Sequence, residues 1–440
     1  MTNHTKRRVV ITGLGVLAAN GIGKVNFWQA SVAGQSGIRR ITRFDASLLP
    51  TQIAGEIANF DPQALSLTQE ECADFDRGTQ LALAAANLAL QDARLVDALS
   101  EEERNATGVY MGTAMASAEE GENIWMKLTG GGTHVPREVV YDLRPTAFMT
   151  SFVPAAAIAA HHQLHGPCMN ISTGCSAGAD AIGQAFWAIQ EGRADRMLAG
   201  GSDSAISRGG LNVFSVMKAM STRNEEPERA SRPYDHHRDG FVMAEGAGVL
   251  LLEELDAALA RDAHIYAEVI SFTSNSNAYH MTALPEDGAP LQQLLRQSLA
   301  ETHITPEELG YINSHGSSTP ANDAAETAAY KAVFGEHAHC IPISATKSMI
   351  GHSQGAASAI EAIVTALVLE QQIIPPTINQ ECPDPRCDLD FVPNIARQAH
   401  VDVALTHSSG FGGVNTALIL ARPHWAQNHR ENTEQVAHAK

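Results

Sequence analysis

The sequence contains no apolar run of membrane-spanning length, and its longest candidate, Ala359 to Leu369, is interrupted by Glu361. The start is polar and basic to Arg8 but passes into VVITGLGV, which is too short and too glycine-broken for a secretory core. A cytoplasmic location is therefore expected. Positive charge is also scarce: 30 Lys and Arg stand against 49 Asp and Glu, a formal net charge of −19. That balance disfavours a general affinity for nucleic acid or for an anionic membrane. The six cysteines are scattered without disulfide-type spacing. Cys382 and Cys387 bracket a PDPR turn, but no second cysteine or histidine pair completes a zinc site, so no metal is expected. There is no Walker loop, and the early glycines of GLGVLAANGIG do not fit a dinucleotide-binding fingerprint.

What is present is an enzyme-like composition, with 44% hydrophobic residues and 35 glycines in 440 residues, too long a chain for one small core. Short β-branched runs alternate with long alanine-rich segments, which predicts α/β architecture. RRVVITGLGV reads as a strand and turn, Arg77 to Ala93 as a helix, and GVYMGTA as a strand. MNISTGC reads as a strand leading into a helix from Ser176 to Glu191, and RMLAGGSDSA as another strand. The second half repeats the theme in IYAEVISF, LGYINSHG, CIPISATKS, a helix to Leu369, and VALTHSSGFGGVN.

The parallels go further than alternation. MNISTGCSAGADAIGQAFWAI and IPISATKSMIGHSQGAASAIEAIVTALVL share one plan: strand, turn, small-residue helix. RMLAGGSDS likewise matches VALTHSSGFGG. A duplicated unit joined near Ala257 to Ala263 is expected, giving halves of 1–258 and 259–424. Residues 425–440 are polar, lack a periodic apolar face, and are expected to fray.

Cys175 lies between a strand and a helix whose first turn is small, Ser176, Ala177 and Gly178. The dipole and unpaired N–H groups of a helix N-terminus favour thiolate, and small neighbours admit an acyl chain. The competing reading is a buried, inert cysteine. Context favours the nucleophile. His315 ends a strand before a Ser/Thr/Gly/Pro loop, and Lys347 and His352 open the second small-residue helix. The duplication would bring these segments towards Cys175. SSGFGGVN adds a glycine-rich turn whose N–H groups could stabilise an oxyanion.

TGCSAG, HGSSTPAND, KSMIGHSQGAAS and GFGGVN, in that order, resemble the signatures of the elongating β-ketoacyl-acyl carrier protein synthases. The similarity runs from RRVVITGLGV to about Leu420. Within that family STGC, NAYHMT, YINSHGS, ETAAYK, KSMIGHS and PDPRCDLDFVP are most similar to ketosynthase alpha subunits of type II polyketide synthases. The resemblance implies a thiolase fold, two similar halves in a five-layered α-β-α-β-α body with the site where they meet. It implies Cys175 as the acyl-accepting nucleophile. It implies His315 and His352 as hydrogen-bond donors to the enolate oxygen left by decarboxylation. Lys347, paired with Glu326, would order the site. The N–H groups of Cys175 and Phe411 would form the oxyanion hole, and Phe411 would gate access. Ser317 and Thr319 would contact the phosphopantetheine arm of an acyl carrier protein, which brings the substrates, with no cofactor intrinsic to the chain.

Three features depart from the alpha-subunit pattern. Asn415 ends GFGGVN as in the fatty acid enzymes, CSAGAD replaces the usual Thr-Ser after the cysteine, and LTQEECADFDRG is acidic where relatives carry a basic docking cluster. Lys218 and Arg223 remain as expected carrier-docking residues. Because the cysteine is retained, the chain is not expected to be the chain-length factor, which resembles this family but lacks that nucleophile and with which a heterodimer is expected. A homodimeric fatty acid elongation synthase is the alternative, and a non-catalytic scaffold of the same fold a further one. A thiolase using coenzyme A fits less well, since two histidines suit decarboxylative condensation better than a second cysteine would.

Overall fold

The computed structural model describes residues 7–438 except 97, 116–117 and 136–150. Along the main path of the sheet, leaving aside two-residue strands off it such as Gly21–Ile22, the first half supplies β1 (Val9–Ala18), β2 (Thr107–Gly112), β3 (Cys168–Ile171), β4 (Arg196–Ser204) and β5 (Glu245–Glu254). The second half supplies β6 (Ala267–Ser276), β7 (Tyr311–Asn313), β8 (Ile343–Ser344), β9 (Val403–Ser409) and β10 (Val414–Ala421) to the same path, while Ile373–Ile374 and Arg397–Gln398 pair apart from it. Their hydrogen-bonded order among the described residues is β8-β7-β9-β10-β6-β1-β5-β4-β2-β3.

That order reads the same from its centre outward. From β1 the first half runs β5, β4, β2, β3, and from β6 the second runs β10, β9, β7, β8. Orientations match too. The first two pairings of each half, and the one that follows β4 or β9, are antiparallel or parallel in the same sequence. Each half is one copy of the same unit, and β1 and β6 join the copies through a short antiparallel contact.

The helices divide into three layers. α1 (Arg77–Asp92) and α2 (Val153–His162) cover the outer face of the first half. α3 (Ala177–Gln190) and α6 (Ala357–Gln371) pack on each other and on strands of both halves. α4 (Ala289–Thr302) and α5 (Pro320–Phe334) cover the outer face of the second half. The result is the five-layered α-β-α-β-α body. Its largest apolar cluster lies in the middle, where α3 and α6 bury Ile182, Phe186, Ile360 and Ile363. An all-buried helix such as α6 gains little from amphipathic pattern, which explains its nearly continuous apolar run.

Two readings change. RRVVITGLGV continues as strand to Ala18 instead of turning. Its glycines serve close packing: a Cβ on Gly13 or Gly15 would lie 2.3 or 1.8 Å from the carbonyl oxygens of Ala89 or Ala85 on α1. Residues expected as a frayed tail form α7 (Pro423–His438). Proline opens this helix, Ala426 is buried, Trp425 stacks on His429, and the His429 ring lies 2.9 Å from the carbonyl of Thr302. No described helix is long and apolar enough to cross a membrane.

Candidate active site

Cys175 sits in a tight turn, Gly174–Ser176, between β3 and α3. Gly174 adopts φ 65°, open to glycine at no steric cost, and this turns the sulfur towards the second half. Backbone N–H groups of Phe411 and of Cys175 itself face the sulfur. Cys175 is 4% exposed. Burial pushes its thiol up to about 11, outweighing the Lys347 charge and the Phe411 N–H that favour thiolate. The resting group is thus a thiol. The thiolate expected from a helix N-terminus is lost to desolvation.

His352 follows β8 and reaches across to Cys175, with Nε2 3.1 Å from Sγ. Its Nδ1 accepts from the Gln354 N–H at 3.2 Å, so the ring proton resides on Nε2 and points at the sulfur. His315 follows β7. Its Nδ1 lies 3.2 Å from Ser408 Oγ, and that hydroxyl donates to the Cys175 carbonyl at 3.1 Å. The two imidazoles meet edge to face, 5.4 Å between centroids. Burial, then the charge of Lys347, pulls both well below the ordinary histidine range, so both are neutral.

Lys347 is buried, and its ammonium donates to the His315 carbonyl at 2.8 Å. Its carboxylate partner is Glu361 on α6, not Glu326 as expected. Burial pushes the Glu361 carboxyl up to about 7 against the pull of Lys347. Glu326 is engaged otherwise. It accepts from the N–H of His315 at 2.8 Å, from Tyr234 and Tyr330 hydroxyls, and from His407 Nε2 at 2.9 Å. Burial pushes this carboxyl up, but His407 and the other donors together bring it below its ordinary value. Lys347 therefore holds the His315 backbone from its carbonyl side and Glu326 from its amide side.

One cavity of about 410 Å³ joins Cys175, His315, His352, Phe411, Ser317, Thr319 and Lys218. Ser317 and Thr319 hydroxyls lie 2.9 Å apart on its wall. Phe411 stacks on Phe214 beside the sulfur. Lys218 is exposed. Arg223 is not on this wall; it is half-buried, donating to the His237 carbonyl at 3.2 Å.

Four site residues escaped the sequence reading: Glu361, Gln354, Ser408 and Asp203. Asp203 is fully buried and accepts from Thr113 Oγ1 and from the N–H groups of Ala114, Met115 and Gly355, at 2.6 to 3.0 Å. It ties the turn after His352 to the end of β2. A carboxylate in the strand-end phrase AGGSDS was the available signal, since a charge there must find donors.

The models of the β-ketoacyl synthase N-terminal and C-terminal domains match residues 6–258 and 266–381. The chain belongs to the β-ketoacyl synthase family. As a β-ketoacyl synthase it is an acyltransferase of the thiolase fold. The tetracenomycin polyketide synthase ketoacyl synthase alpha subunit of Streptomyces glaucescens is 43% identical over 96% of this chain and 99% of its own. The 3-oxoacyl-[acyl-carrier-protein] synthase 2 of Coxiella burnetii is 42% identical over 95% of this chain and 99% of its own. Among solved structures, a type II polyketide ketosynthase complex with its acyl-carrier protein and a hexaketide superposes with a TM-score of 0.87. Identity there is 37%, over 95% of this chain and 100% of the other. The ishigamide ketosynthase/chain length factor gives 0.87 at 34% identity, over 95% and 100%.

Proposed function

We propose that this β-ketoacyl synthase extends a polyketide chain by decarboxylative condensation, taking acyl and malonyl groups from an acyl carrier protein. The observation that carries the reading is the set of donors around Cys175 Sγ: His352 Nε2–H and the N–H groups of Phe411 and Cys175, at the floor of the cavity. In acyl transfer, the Cys175 sulfur bonds the acyl carbon and loses its proton, while the carrier's thiol leaves and takes one up. The two backbone N–H groups bind the carbonyl oxygen as it becomes an oxyanion. A malonyl thioester then loses CO₂, and the electron pair left behind delocalises onto its thioester oxygen. His352 Nε2–H donates to that oxygen. The enolate carbon bonds the acyl carbon, the carbon–sulfur bond breaks, and the Cys175 thiolate takes a proton from solvent to return as a thiol.

Burial suits these steps. A neutral pair of imidazoles in a buried site costs little until charge develops, and its donors are fixed before it does. Ser317 and Thr319, on the cavity wall, are placed to hydrogen-bond a phosphopantetheine arm. Lys218, exposed at the same cavity, is a docking residue for the acidic carrier; Arg223, off the cavity wall and held by the His237 carbonyl, is assigned a lesser part. Among the described residues β3 is an edge strand, with Cys168 and Met169 exposed, and its outer ladder is the one a partner subunit would pair with. We assign that partner as a cysteine-less chain-length factor and, from the carrier-borne substrates, place the enzyme in the cytoplasm.

A fatty acid elongation synthase is the second reading, favoured by Asn415. This buried side chain donates to Asn275 and to Asn277, a wall residue of the cavity, at 2.9 and 2.7 Å. Supplying only acetyl- and malonyl-carrier protein, with no reducing enzymes, separates the two. More than one extension of unreduced product supports the polyketide reading, and arrest after one extension supports the fatty acid reading.

A further inference from the structure

Ser408, at the end of β9, contacts both halves of the reaction centre and has no part in the chemistry just described. It is fully buried. Its Oγ lies 3.1 Å from the Cys175 carbonyl oxygen and 3.2 Å from His315 Nδ1. A carbonyl only accepts, so the single hydroxyl proton of Ser408 goes to it. The hydroxyl then offers His315 a lone pair, and the partner that satisfies a lone pair is Nδ1–H. A neutral imidazole carries one proton, so His315 Nε2 is left as a bare acceptor. His352 is arranged the other way, with Nδ1 filled by the Gln354 N–H and Nε2 protonated.

We propose that Ser408 is a positioning residue that fixes the tautomer of His315, so that the two active-site histidines present opposite hydrogen-bonding faces. His352 is the donor to the enolate oxygen. His315 presents an acceptor, able to take a hydrogen bond from a protonated carboxyl or a water at the carboxylate end of the malonyl group. The pairing of both histidines as donors, expected from the sequence resemblance, then needs a tautomer of His315 that Ser408 opposes. Ser408 also links this choice to the nucleophile, because the proton that sets it is anchored on the Cys175 carbonyl. The same serine thus couples the cysteine turn of the first half to the histidine of the second. This inference deepens the proposed condensation and rests on it for its consequence, but the tautomer itself is a property of the free enzyme.

The test uses the full chain, with any partner subunit that co-purifies, labelled with ¹⁵N-histidine. Long-range proton–nitrogen correlations read which ring nitrogen carries the proton, and loss of signals in His315→Ala assigns them. We expect Nδ1–H at His315 in the unaltered protein and a mixed or Nε2–H pattern in Ser408→Ala. Decarboxylation of malonyl-carrier protein should fall about tenfold more than acylation of Cys175 in that variant, with recovery in Ser408→Thr. Nε2–H at His315 in the unaltered protein overturns the proposal, as does a pattern unchanged by Ser408→Ala. Equal losses in the two partial reactions also overturn it. Should Ser408→Ala fail to fold, the spectrum of the unaltered protein still decides. Absence of both partial reactions in the unaltered protein would instead refute the condensing function, leaving the spectrum to judge Ser408.

Discussion

His352 crosses from the second half of the chain to place Nε2 3.1 Å from Cys175 Sγ in the first. The two residues occupy equivalent places, each in the connection from the third strand of its half to a central helix, β3 to α3 and β8 to α6. One copy of the duplicated connection supplies the thiol and the other its hydrogen-bond donor. Neither half contains a working site alone.

The state of Cys175 is open to direct measurement. With its thiol pushed up to about 11, only a small thiolate fraction exists near neutrality. Alkylation of Cys175 by iodoacetamide should rise about tenfold per pH unit from pH 7 to 9 without a plateau. A rate already level above pH 6 would mean a standing thiolate–imidazolium pair and contradict the burial argument.

In the proposed condensation His352 Nε2–H donates to the developing oxyanion, and His352→Ala removes that donor. Loss of one such donor typically costs about 10²-fold in rate. Decarboxylation of malonyl-carrier protein should therefore fall by about 10²-fold in this variant, measured as CO₂ release. A loss below about threefold would place the enolate oxygen elsewhere.

Lys347 and Glu361 are both buried, so removing one leaves the other charge without its partner. Lys347→Met should destabilise by about 3 kcal/mol, and Lys347→Met combined with Glu361→Leu by less than the two single changes together. Urea unfolding of the single and double variants measures the coupling. A larger coupling of Lys347 with Glu326 than with Glu361 would reverse the assignment.

The order of elements and the duplicated plan were legible because strands and small-residue helices recur in matching phrases. So was the meeting of Cys175, His315, Lys347 and His352, since each stands after a strand among glycines and small polar residues. The partner of Lys347 was not legible. Glu361 sits 14 positions on, inside the apolar run of α6, and only the packing of that helix against the short turn at Lys347 brings them together. Ser408 was hidden for a similar reason, because its two contacts belong to different halves. Gly13 and Gly15 were read as turn signals, although their use is to let α1 approach β1, a distinction that depends on a neighbour about 70 residues away. The strand β5 went unremarked, yet it lies between β1 and β4 and is buried along its whole length.

Gly15→Ala tests that close approach. Its Cβ would fall 1.8 Å from the Ala85 carbonyl oxygen, backbone that cannot rotate away. The variant should lose about 2 kcal/mol or more of stability, read as a lower urea midpoint. An unchanged midpoint would show that β1 and α1 separate more easily than this packing allows.

In the proposed reaction Cys175 carries the acyl chain. Intact-protein mass spectrometry after incubation with acyl-carrier protein, with and without Cys175→Ala, tests it most directly. An acyl adduct is expected on the unaltered chain, with its expected partner subunit where needed, and none on Cys175→Ala. An adduct that persists in Cys175→Ala, or no adduct under either condition, would contradict it.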